Sequence, residues 1–477
     1  MDLKQKVMSG LKWTLIAKIV VQSFSWISTL IVIQILTPSD FGIVAIAALA
    51  FELLTLIAIS GFTSALIKSQ STDKNTASQI FSISLLLHLL FSALLIASAS
   101  SIATFYNNDS IEHVIYFMAL IAPINSLHIV PNAKFSIDMN FKAKALCDSV
   151  AALITTVVSL SLAFAGFAYW SLVIANAVGL VTAAIILNIA AKTRYGLTAQ
   201  LRNMGELLGF AWKVQLSGII WFAYNRIDVL IVGKTLGTDR LGIYQVASEI
   251  ASMPLSKLSA IINQVGFAAF ASLDDKAEDN YKYLVKTLNY SALIMFPVFL
   301  GIASVAHEIC HLILGDNWLD AEPIITLLAL IFPMRVLSTS INNYLNGINK
   351  AGFALSNILL IASVLIVAIS SGVQYGLTGA ALGWIIGFSI AFNIILLRLK
   401  IALGYPLRQL YAWVIYALPA VLMLASIHVS TIYLQPMELS LITMMLMKVA
   451  FGVAFISLSY LIFFKNEILF ILNKENP

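Results

Sequence analysis

The chain has 477 residues, of which 60% are hydrophobic and only 11% are charged, and its mean hydropathy is +0.93. About a quarter of the residues of an ordinary soluble domain are charged. The composition therefore excludes a soluble enzyme, a nucleic-acid-binding protein and a secreted disulfide scaffold, and it predicts an all-α protein that crosses a bilayer many times. The net charge is +5, and the two cysteines, Cys147 and Cys310, offer no disulfide framework.

Apolar runs of spanning length alternate with short polar segments along the chain. A span needs about 20 mainly apolar residues, and this criterion predicts about fourteen transmembrane helices. Their limits are 11–35, 41–67, 79–103, 111–130, 146–166, 170–190, 207–231, 241–270, 284–306, 321–344, 353–373, 379–399, 411–432 and 439–464. Pro123 and Pro131 interrupt the fourth helix, and Lys448 lies inside the last.

Basic residues are concentrated on one side of this arrangement. With a cytoplasmic N-terminus, twenty of the 28 Lys and Arg residues fall in cytoplasmic segments, six lie inside spans, and only Lys234 and Arg240 fall on the opposite side. Cytoplasmic loops of membrane proteins are enriched in Lys and Arg, so both termini are expected to be cytoplasmic. The basic residues 1–12 precede an apolar run without a small-residue cleavage site, which predicts an uncleaved first span.

An internal repeat is visible at an offset of 200 residues. The matching positions are Leu30, Ile31, Val32, Leu36, Gly42, Ile43 and Ala47 in the first copy and Leu230, Ile231, Val232, Leu236, Gly242, Ile243 and Ala247 in the second. Each copy holds six predicted spans, so the two copies share one orientation, as in transporters that bind substrate between parallel repeats. We therefore expect six-helix bundles at residues 1–203 and 204–402. Residues 403–477 add two helices and a cytoplasmic tail.

Several short motifs resemble those of a known family. They are LTPSDFG at 36–42, YWSLV at 169–173, NRIDVLIVGKTLG at 225–237, LGIY at 241–244 and GDNW at 315–318. In this order and spacing, they resemble polysaccharide flippases of the multidrug/oligosaccharidyl-lipid/polysaccharide (MOP) exporter superfamily. The resemblance covers essentially the whole chain and is greatest to the Wzx type, particularly its colanic-acid-exporter-like branch.

The resemblance implies a transport function without catalysis and without a cofactor. A flippase of this type moves an undecaprenyl-diphosphate-linked oligosaccharide repeat unit (of the O-antigen, exopolysaccharide or colanic-acid kind) from the cytoplasmic to the periplasmic leaflet of the bacterial inner membrane. Two six-helix bundles surround a central cavity that opens alternately to each side. The resemblance is compatible with coupling to H⁺ or Na⁺, and with membrane lipid, a polysaccharide polymerase and a chain-length regulator as partners. It implies no nucleic acid.

Ionisable residues inside the predicted spans indicate a substrate path. Each costs at least about 2.5 kcal/mol at the bilayer centre, and a diphosphate crossing hydrocarbon needs cations in a hydrated groove. We therefore predict that Lys18, Arg226, Lys257 and Arg335 bind the diphosphate. The alternative for Arg226 and Lys257 is a buried ion pair that sets helix register, with Glu249 as the partner of Arg226.

Aromatic and amide side chains are candidates for contacts with the sugars. Ring faces stack on the C–H surfaces of sugars, and amides form hydrogen bonds with hydroxyl groups. Trp26, Tyr224 and Asn225 lie inside predicted spans and are assigned this role. The alternative is that such side chains hold neighbouring helices together.

Carboxylates inside spans are candidates for ion coupling. Glu52, Asp228 and Glu249 are predicted to bind a proton or Na⁺ during transport. The six histidines are scattered, and no spacing of histidines and carboxylates indicates a metal site. We expect them to be core or interface residues, and we predict no metal.

Two other functions compete with the flippase. A cation-coupled multidrug exporter of the same superfamily would have the same fold. However, its substrates are commonly cationic, so the midplane cations Lys257 and Arg335 favour an anionic substrate. A membrane-embedded glycosyltransferase or polymerase acting on the same lipid carrier usually needs a long external loop. The predicted outer loops, such as 106–110 and 433–438, are short.

Overall fold

The computed structural model describes residues 21–70, 73–199, 204–255, 277–434 and 439–464. These residues are almost entirely helical and contain no β-strand, which confirms the all-α prediction. The main helices are α1 (Val21–Ile35), α2 (Pro38–Ser69), α3 (Lys74–Tyr106), α4 (Ser110–Ile121), α5 (Ile129–Ile137), α6 (Phe141–Phe164), α7 (Trp170–Ala191), α8 (Gly205–Ser252), α9 (Ala277–Ser304), α10 (Glu322–Gly347), α11 (Ala351–Gly372), α12 (Gly376–Leu403), α13 (Trp413–Leu434) and α14 (Leu441–Phe463).

Ten helical stretches of the described residues are long and apolar enough to cross a bilayer. One of them, Ala351–Leu403, contains both α11 and α12. Helix α8 is not among the ten, and its predicted spanning part carries Gln215, Asn225, Arg226 and Asp228. A polar helix at membrane depth is stable where it faces protein or water rather than lipid. The chain is a multi-pass membrane protein, and the number fourteen stays a prediction.

The fourth predicted span is longer and less regular than the sequence indicated. It comprises α4, a 3₁₀ segment at Ala122–His128 and α5, so it ends at Ile137 rather than at residue 130. Pro123 lies at the start of the 3₁₀ segment, where its missing N–H interrupts the α-helical hydrogen-bond pattern. Pro131 is accommodated within α5.

The predicted loop between the seventh and eighth spans is reduced to a break at one residue. Helix α8 runs from Gly205 to Ser252, and only Gly237 leaves helical geometry, with φ 83° and ψ 177°. Glycine adopts this conformation at little cost because it has no Cβ. The helix after this break corresponds, at the 200-residue offset, to the start of α2.

The chain divides into two compact units, Met1–Gly242 and Ile243–Pro477. In the first, a buried cluster joins the end of α2 to the starts of α3 and α5 through residues that include Leu66, Ile80 and Ile129. Tyr195, which follows α7, donates from its hydroxyl to Oδ1 of Asn188 at 2.5 Å. Burial raises the pKa of Tyr195 to about 12, an effect only partly offset by that hydrogen bond.

The second unit has an aromatic core. Phe299 of α9 stacks on Phe332 of α10 with ring centroids 5.5 Å apart. Trp384 and Phe388 of α12 are fully buried, and so is Trp318 in the 3₁₀ segment Asp316–Ala321. Large rings contribute the most apolar area per residue and therefore dominate such a core.

The internal repeat brings two equivalent glycines into contact within the first unit. A Cβ on Gly42 would lie 1.9 Å from the carbonyl oxygen of Thr238, and a Cβ on Gly242 would lie 1.7 Å from that of Pro38. Pro38 and Thr238 are themselves 200 residues apart, so the contact is reciprocal: each helix start packs its glycine on the backbone of the other.

The start of α2 is fixed by a capping box. Oδ2 of Asp40 accepts hydrogen bonds from the backbone N–H and the hydroxyl of Thr37, at 2.8 and 2.7 Å. The other carboxylate oxygen accepts from the backbone N–H of Tyr169 at 3.0 Å. The LTPSDFG motif therefore both begins α2 and connects it to the segment that leads into α7.

Candidate functional site

The candidate site is an ion pair between α2 and α8 in the first unit. Nε and Nη2 of Arg226 donate to the two carboxylate oxygens of Glu52, at 3.1 and 2.9 Å. This bidentate geometry matches the planar guanidinium to the carboxylate and gives a strong, directional contact. The side chains are 35% and 42% exposed, so the pair is accessible from outside the packed protein.

Both partners lie far from the ends of their helices. Glu52 is near the middle of α2, and Arg226 is within the predicted seventh span of α8. A charged pair that is partly exposed at this depth is stable beside water and unstable against acyl chains. The geometry therefore indicates a hydrated surface beside the pair.

The structure changes the assignment of the carboxylate on Arg226. The sequence suggested Glu249, which is on the far side of the Gly237 break and is exposed. In the structure Arg226 instead contacts Glu52, which lies 174 positions away in the sequence and is one of the residues predicted to take part in ion coupling. One predicted phosphate-binding residue and one predicted coupling residue are thus brought together.

The other polar residues of this part of α8 have different surroundings. Asp228 is buried, and its Oδ1 accepts from the backbone N–H of Val229 at 2.8 Å. Asn225 donates from its amide to the carbonyl of Trp221 one turn earlier, at 2.7 Å. Tyr224 is half-buried. Trp26, on α1, is also half-buried, and its neighbour Ser25 is 3.3 Å from the hydroxyl of Thr156 on α6.

Arg335 lies on aromatic rings in the second unit. Its guanidinium carbon is 4.6 Å from the ring centroid of Trp384 and 5.1 Å from that of Phe332. Guanidinium groups are attracted to the faces of aromatic rings, so these contacts hold Arg335 against the aromatic core of the second unit. Lys18 and Lys257, the other two predicted phosphate-binding cations, lie outside the described residues.

A second charge pair, which is buried, was not predicted from the sequence. Nζ of Lys448 on α14 lies 2.6 Å from Oε1 of Glu308, and the two side chains are only 9% and 1% exposed. Lys448 also donates to the carbonyl of Ser304 at 3.3 Å. Glu308 lies beyond the end of the ninth predicted span, so it is not among the charged residues inside the predicted spans. The sequence feature that indicates this pair is Lys448, a lysine inside an otherwise apolar helix.

A group of possible metal ligands lies next to Glu308. His307, His311 and Glu322 each place one possible ligand atom within 4.8 Å of the others, a proximity that the sequence analysis did not indicate. Cys310 lies between the histidines, but it is fully buried. Burial, together with the charge of Glu322, raises the pKa of the Cys310 thiol to about 12.

Comparison with known proteins agrees with this architecture. The sequence model of the family described as "Polysaccharide biosynthesis protein" matches residues 31–323. A protein named "Uncharacterized membrane protein in cps region" from Klebsiella pneumoniae is 24% identical over 467 residues, covering 95% of this chain and 94% of that protein. The lipopolysaccharide biosynthesis protein WzxC of Escherichia coli K12 is 22% identical over 433 residues, covering 86% and 84%.

Solved structures show the same fold at low sequence identity. An inward closed conformation of the lipid II flippase MurJ aligns with a TM-score of 0.77 at 15% identity, covering 94% of this chain and 99% of that one. An inward-facing multidrug-resistance MATE transporter of the MOP superfamily aligns with a TM-score of 0.60, also at 15% identity, covering 82% and 96%. The family indicated by the sequence motifs is thus supported: the chain belongs to the polysaccharide biosynthesis protein family, and it shares its fold with MurJ and with a MATE transporter.

Proposed function

We propose that this protein is a flippase for an undecaprenyl-diphosphate-linked oligosaccharide, which it moves from the cytoplasmic to the periplasmic leaflet of a bacterial inner membrane by alternating access. The family assignment supports a role in polysaccharide biosynthesis. The fold shared with a lipid II flippase supports a lipid-linked substrate. The excess of Lys and Arg on one side of the predicted spans supports cytoplasmic termini.

The observation that carries the proposal is the Arg226–Glu52 pair. Arg226 is a guanidinium at membrane depth in a bidentate contact, and the same donor geometry fits two oxygens of a phosphate. Arriving diphosphate competes with Glu52 for Arg226. Displaced Glu52 is then an unpaired carboxylate at membrane depth and takes up H⁺ or Na⁺, because an uncompensated charge there is costly.

This exchange links substrate to the coupling ion through one charge balance. With Glu52 on Arg226 the site is neutral. With diphosphate on Arg226 and a cation on Glu52, the cation offsets part of the substrate's charge. Release of the substrate allows the Arg226–Glu52 pair to form again and expels the cation. The proposed contacts for the sugars remain Trp26, Tyr224 and Asn225. Arg335, which lies on aromatic rings, is proposed as a second cation that binds the diphosphate.

Deletion of the gene tests the proposed function. The lipid-linked repeat unit is expected to accumulate in the deletion strain. Expression of the intact chain in that strain is expected to prevent the accumulation. Resistance to cationic drugs and dyes is expected to be unchanged. Loss of drug resistance without accumulation of the lipid-linked sugar would assign the protein to the multidrug exporters instead.

A further inference from the structure

The cluster of His307, His311 and Glu322 lies in the second unit, between two candidate spans. His307 is in the short helical turn Ala306–Glu308, and His311 follows in the π-helical segment Ile309–Leu314. Glu322 is the first residue of α10. These residues fall in the gap between the candidate spans Tyr281–Ser304 and Asp316–Gly347, or within the first residues of the second.

The side chains are already arranged as a ligand set. Nδ1 of His307 is 3.0 Å from Oε2 of Glu322, and the two imidazole centroids are 4.1 Å apart. Nδ1 of His311 is 2.9 Å from the carbonyl oxygen of His307. Because a carbonyl only accepts, Nδ1 of His311 carries the proton, and its Nε2 has the lone pair that a metal needs.

The distances suit a tetrahedral ion after a small adjustment. Ligand atoms at about 2.0–2.2 Å from Zn²⁺ are about 3.3 Å apart in tetrahedral geometry. The 3.0 Å contact between His307 and Glu322 is a hydrogen bond, so Nδ1 of His307 has to release its proton before both atoms bind the ion. No separation in the set exceeds 4.8 Å, so each has to shorten by at most about 1.5 Å. His307 and Glu322 are 47% and 36% exposed, so their side chains have room to rotate and a fourth ligand can approach from solvent.

The sequence of this segment has the form His-Glu-x-x-His, from His307 to His311. In metalloproteases with this pattern on a helix, the glutamate acts as general base beside the zinc. Here the carboxylate of Glu308 is 1% exposed and 2.6 Å from Nζ of Lys448. A carboxylate held there does not activate a metal-bound water, so the arrangement favours metal binding without hydrolysis.

We propose that His307, His311 and Glu322 form a Zn²⁺ site whose fourth ligand is water. Two imidazoles and one carboxylate are the ligand types that zinc uses in three-ligand sites with an open position. The ion would connect the segment after α9 to the start of α10. In the sequence, these two parts of the chain precede and follow the buried Trp318. It would therefore stabilise this connection, independently of the proposed transport function.

Zinc titration of the purified full-length protein tests the site. The protein in detergent is freed of metal with a chelator, dialysed and titrated with ZnCl₂ by calorimetry. We expect one Zn²⁺ per chain, together with a rise in the thermal midpoint on Zn²⁺ addition. Substitution of Co²⁺ is expected to give the visible absorption of a tetrahedral ion.

Matched variants separate this site from other histidines. His311→Ala and Glu322→Gln are each expected to weaken Zn²⁺ binding at least about 10-fold, because each removes a ligand. His113→Ala, at an exposed histidine of the first unit, is expected to bind as the wild type does. Glu322→Gln keeps a hydrogen-bonding group beside His307, so it decides the question if His311→Ala does not fold.

Two results would overturn the proposal. One is the absence of stoichiometric Zn²⁺ binding to the wild-type protein. The other is equal Zn²⁺ affinity in the wild type and Glu322→Gln. Either result would mean that His307 and Glu322 form only the hydrogen-bonded pair seen in the structure.

Discussion

Two cations in apolar or membrane-depth helices, Arg226 and Lys448, are each paired with a carboxylate. The Arg226 pair is partly exposed and bidentate, whereas the Lys448–Glu308 pair is buried. An exposed pair exchanges partners readily because water or another anion can replace the carboxylate. A buried pair cannot be separated without leaving a costly unpaired charge. The first arrangement suits a binding site and the second suits a structural link.

A charge swap distinguishes binding from a structural role for Arg226. Arg226→Glu and Glu52→Arg are each expected to abolish complementation of a deletion strain, because like charges then face each other. The combined swap restores the ion pair and is expected to restore protein abundance. If Arg226 binds the phosphate, export by the doubly swapped variant is expected to remain about 10- to 100-fold lower than export by the wild type. The reason is that the lost charge-assisted hydrogen bond contributes about 1.5–3 kcal/mol. Export is measured at equal abundance.

The control for the swap is the Lys144–Asp148 pair of α6. Its side chains are 32% and 47% exposed, close to the values for Arg226 and Glu52, but it lies near a helix end. Swapping these two residues is expected to leave export unchanged. Full export by the Arg226/Glu52 swap would show that the pair only holds helices together.

At the residue scale the sequence identifies charges but not their partners. Arg226 and Glu52 both stand out because ionisable residues inside spans are rare. Periodicity gives depth along a helix, and depth alone made Glu249 the suggested partner of Arg226. Which helices are neighbours is a tertiary property. Glu308 and the His307–Glu322 contact were missed for the same reason, since they join segments at the ends of different spans.

The helices are held by a few specific contacts in addition to apolar packing. Gly42 and Gly242 allow two helix starts to approach backbone to backbone, and the capping box of Thr37 and Asp40 fixes the start of α2. In the second unit, Lys448 and the hydroxyl of Tyr460, which donates to the carbonyl of Leu293, connect α14 to the α9 region. The helix beyond the predicted repeat is therefore an integral part of the second unit.

Alanine at either repeat-related glycine is expected to destabilise the protein. The added Cβ of Gly42→Ala or Gly242→Ala would meet a backbone carbonyl oxygen at 1.9 or 1.7 Å, which side-chain rotation cannot relieve. Overpacking of this kind costs about 1–3 kcal/mol or more. Thermal unfolding in detergent is expected to show a lower midpoint for both variants.

Gly209→Ala is the matched control for the two glycine variants. Gly209 also lies in α8, and a Cβ there meets nothing within 4 Å. The midpoint of thermal unfolding of Gly209→Ala is expected to equal that of the wild type or to be slightly higher, because alanine favours a helix by about 1 kcal/mol over glycine. Wild-type stability of Gly42→Ala and Gly242→Ala would refute the close contact.

Breaking the Lys448–Glu308 pair is expected to destabilise the second unit. Lys448→Met leaves a buried carboxylate without its cation, which costs about 3–5 kcal/mol. The double variant Lys448→Met with Glu308→Gln removes both charges and is expected to recover much of the lost stability. Lys286→Met, at an exposed lysine of α9, is the control and should unfold as the wild type does. Equal midpoints for Lys448→Met and Lys286→Met would contradict the account.

For the whole molecule, composition and hydropathy alone predicted the class of protein. Sixty per cent hydrophobic residues leave no alternative to a membrane bundle. The repeat at offset 200 matched Gly42 with Gly242, but only the structure shows that these two glycines are in contact. Element boundaries were less predictable. The single-residue break at Gly237 looked like a loop because polar residues and glycine surround it. The predicted boundaries at 203 and 402 stay predictions.

The leaflet position of the lipid-linked sugar tests the central claim most directly. In cells that carry the intact gene, the diphosphate-linked repeat unit is expected to become accessible to a glycan-modifying reagent added outside the inner membrane. In cells that carry Arg226→Glu at equal abundance, the repeat unit is expected to be made but to stay protected until the membrane is permeabilised. Equal accessibility in both strains would contradict the proposal that Arg226 carries the diphosphate across the membrane.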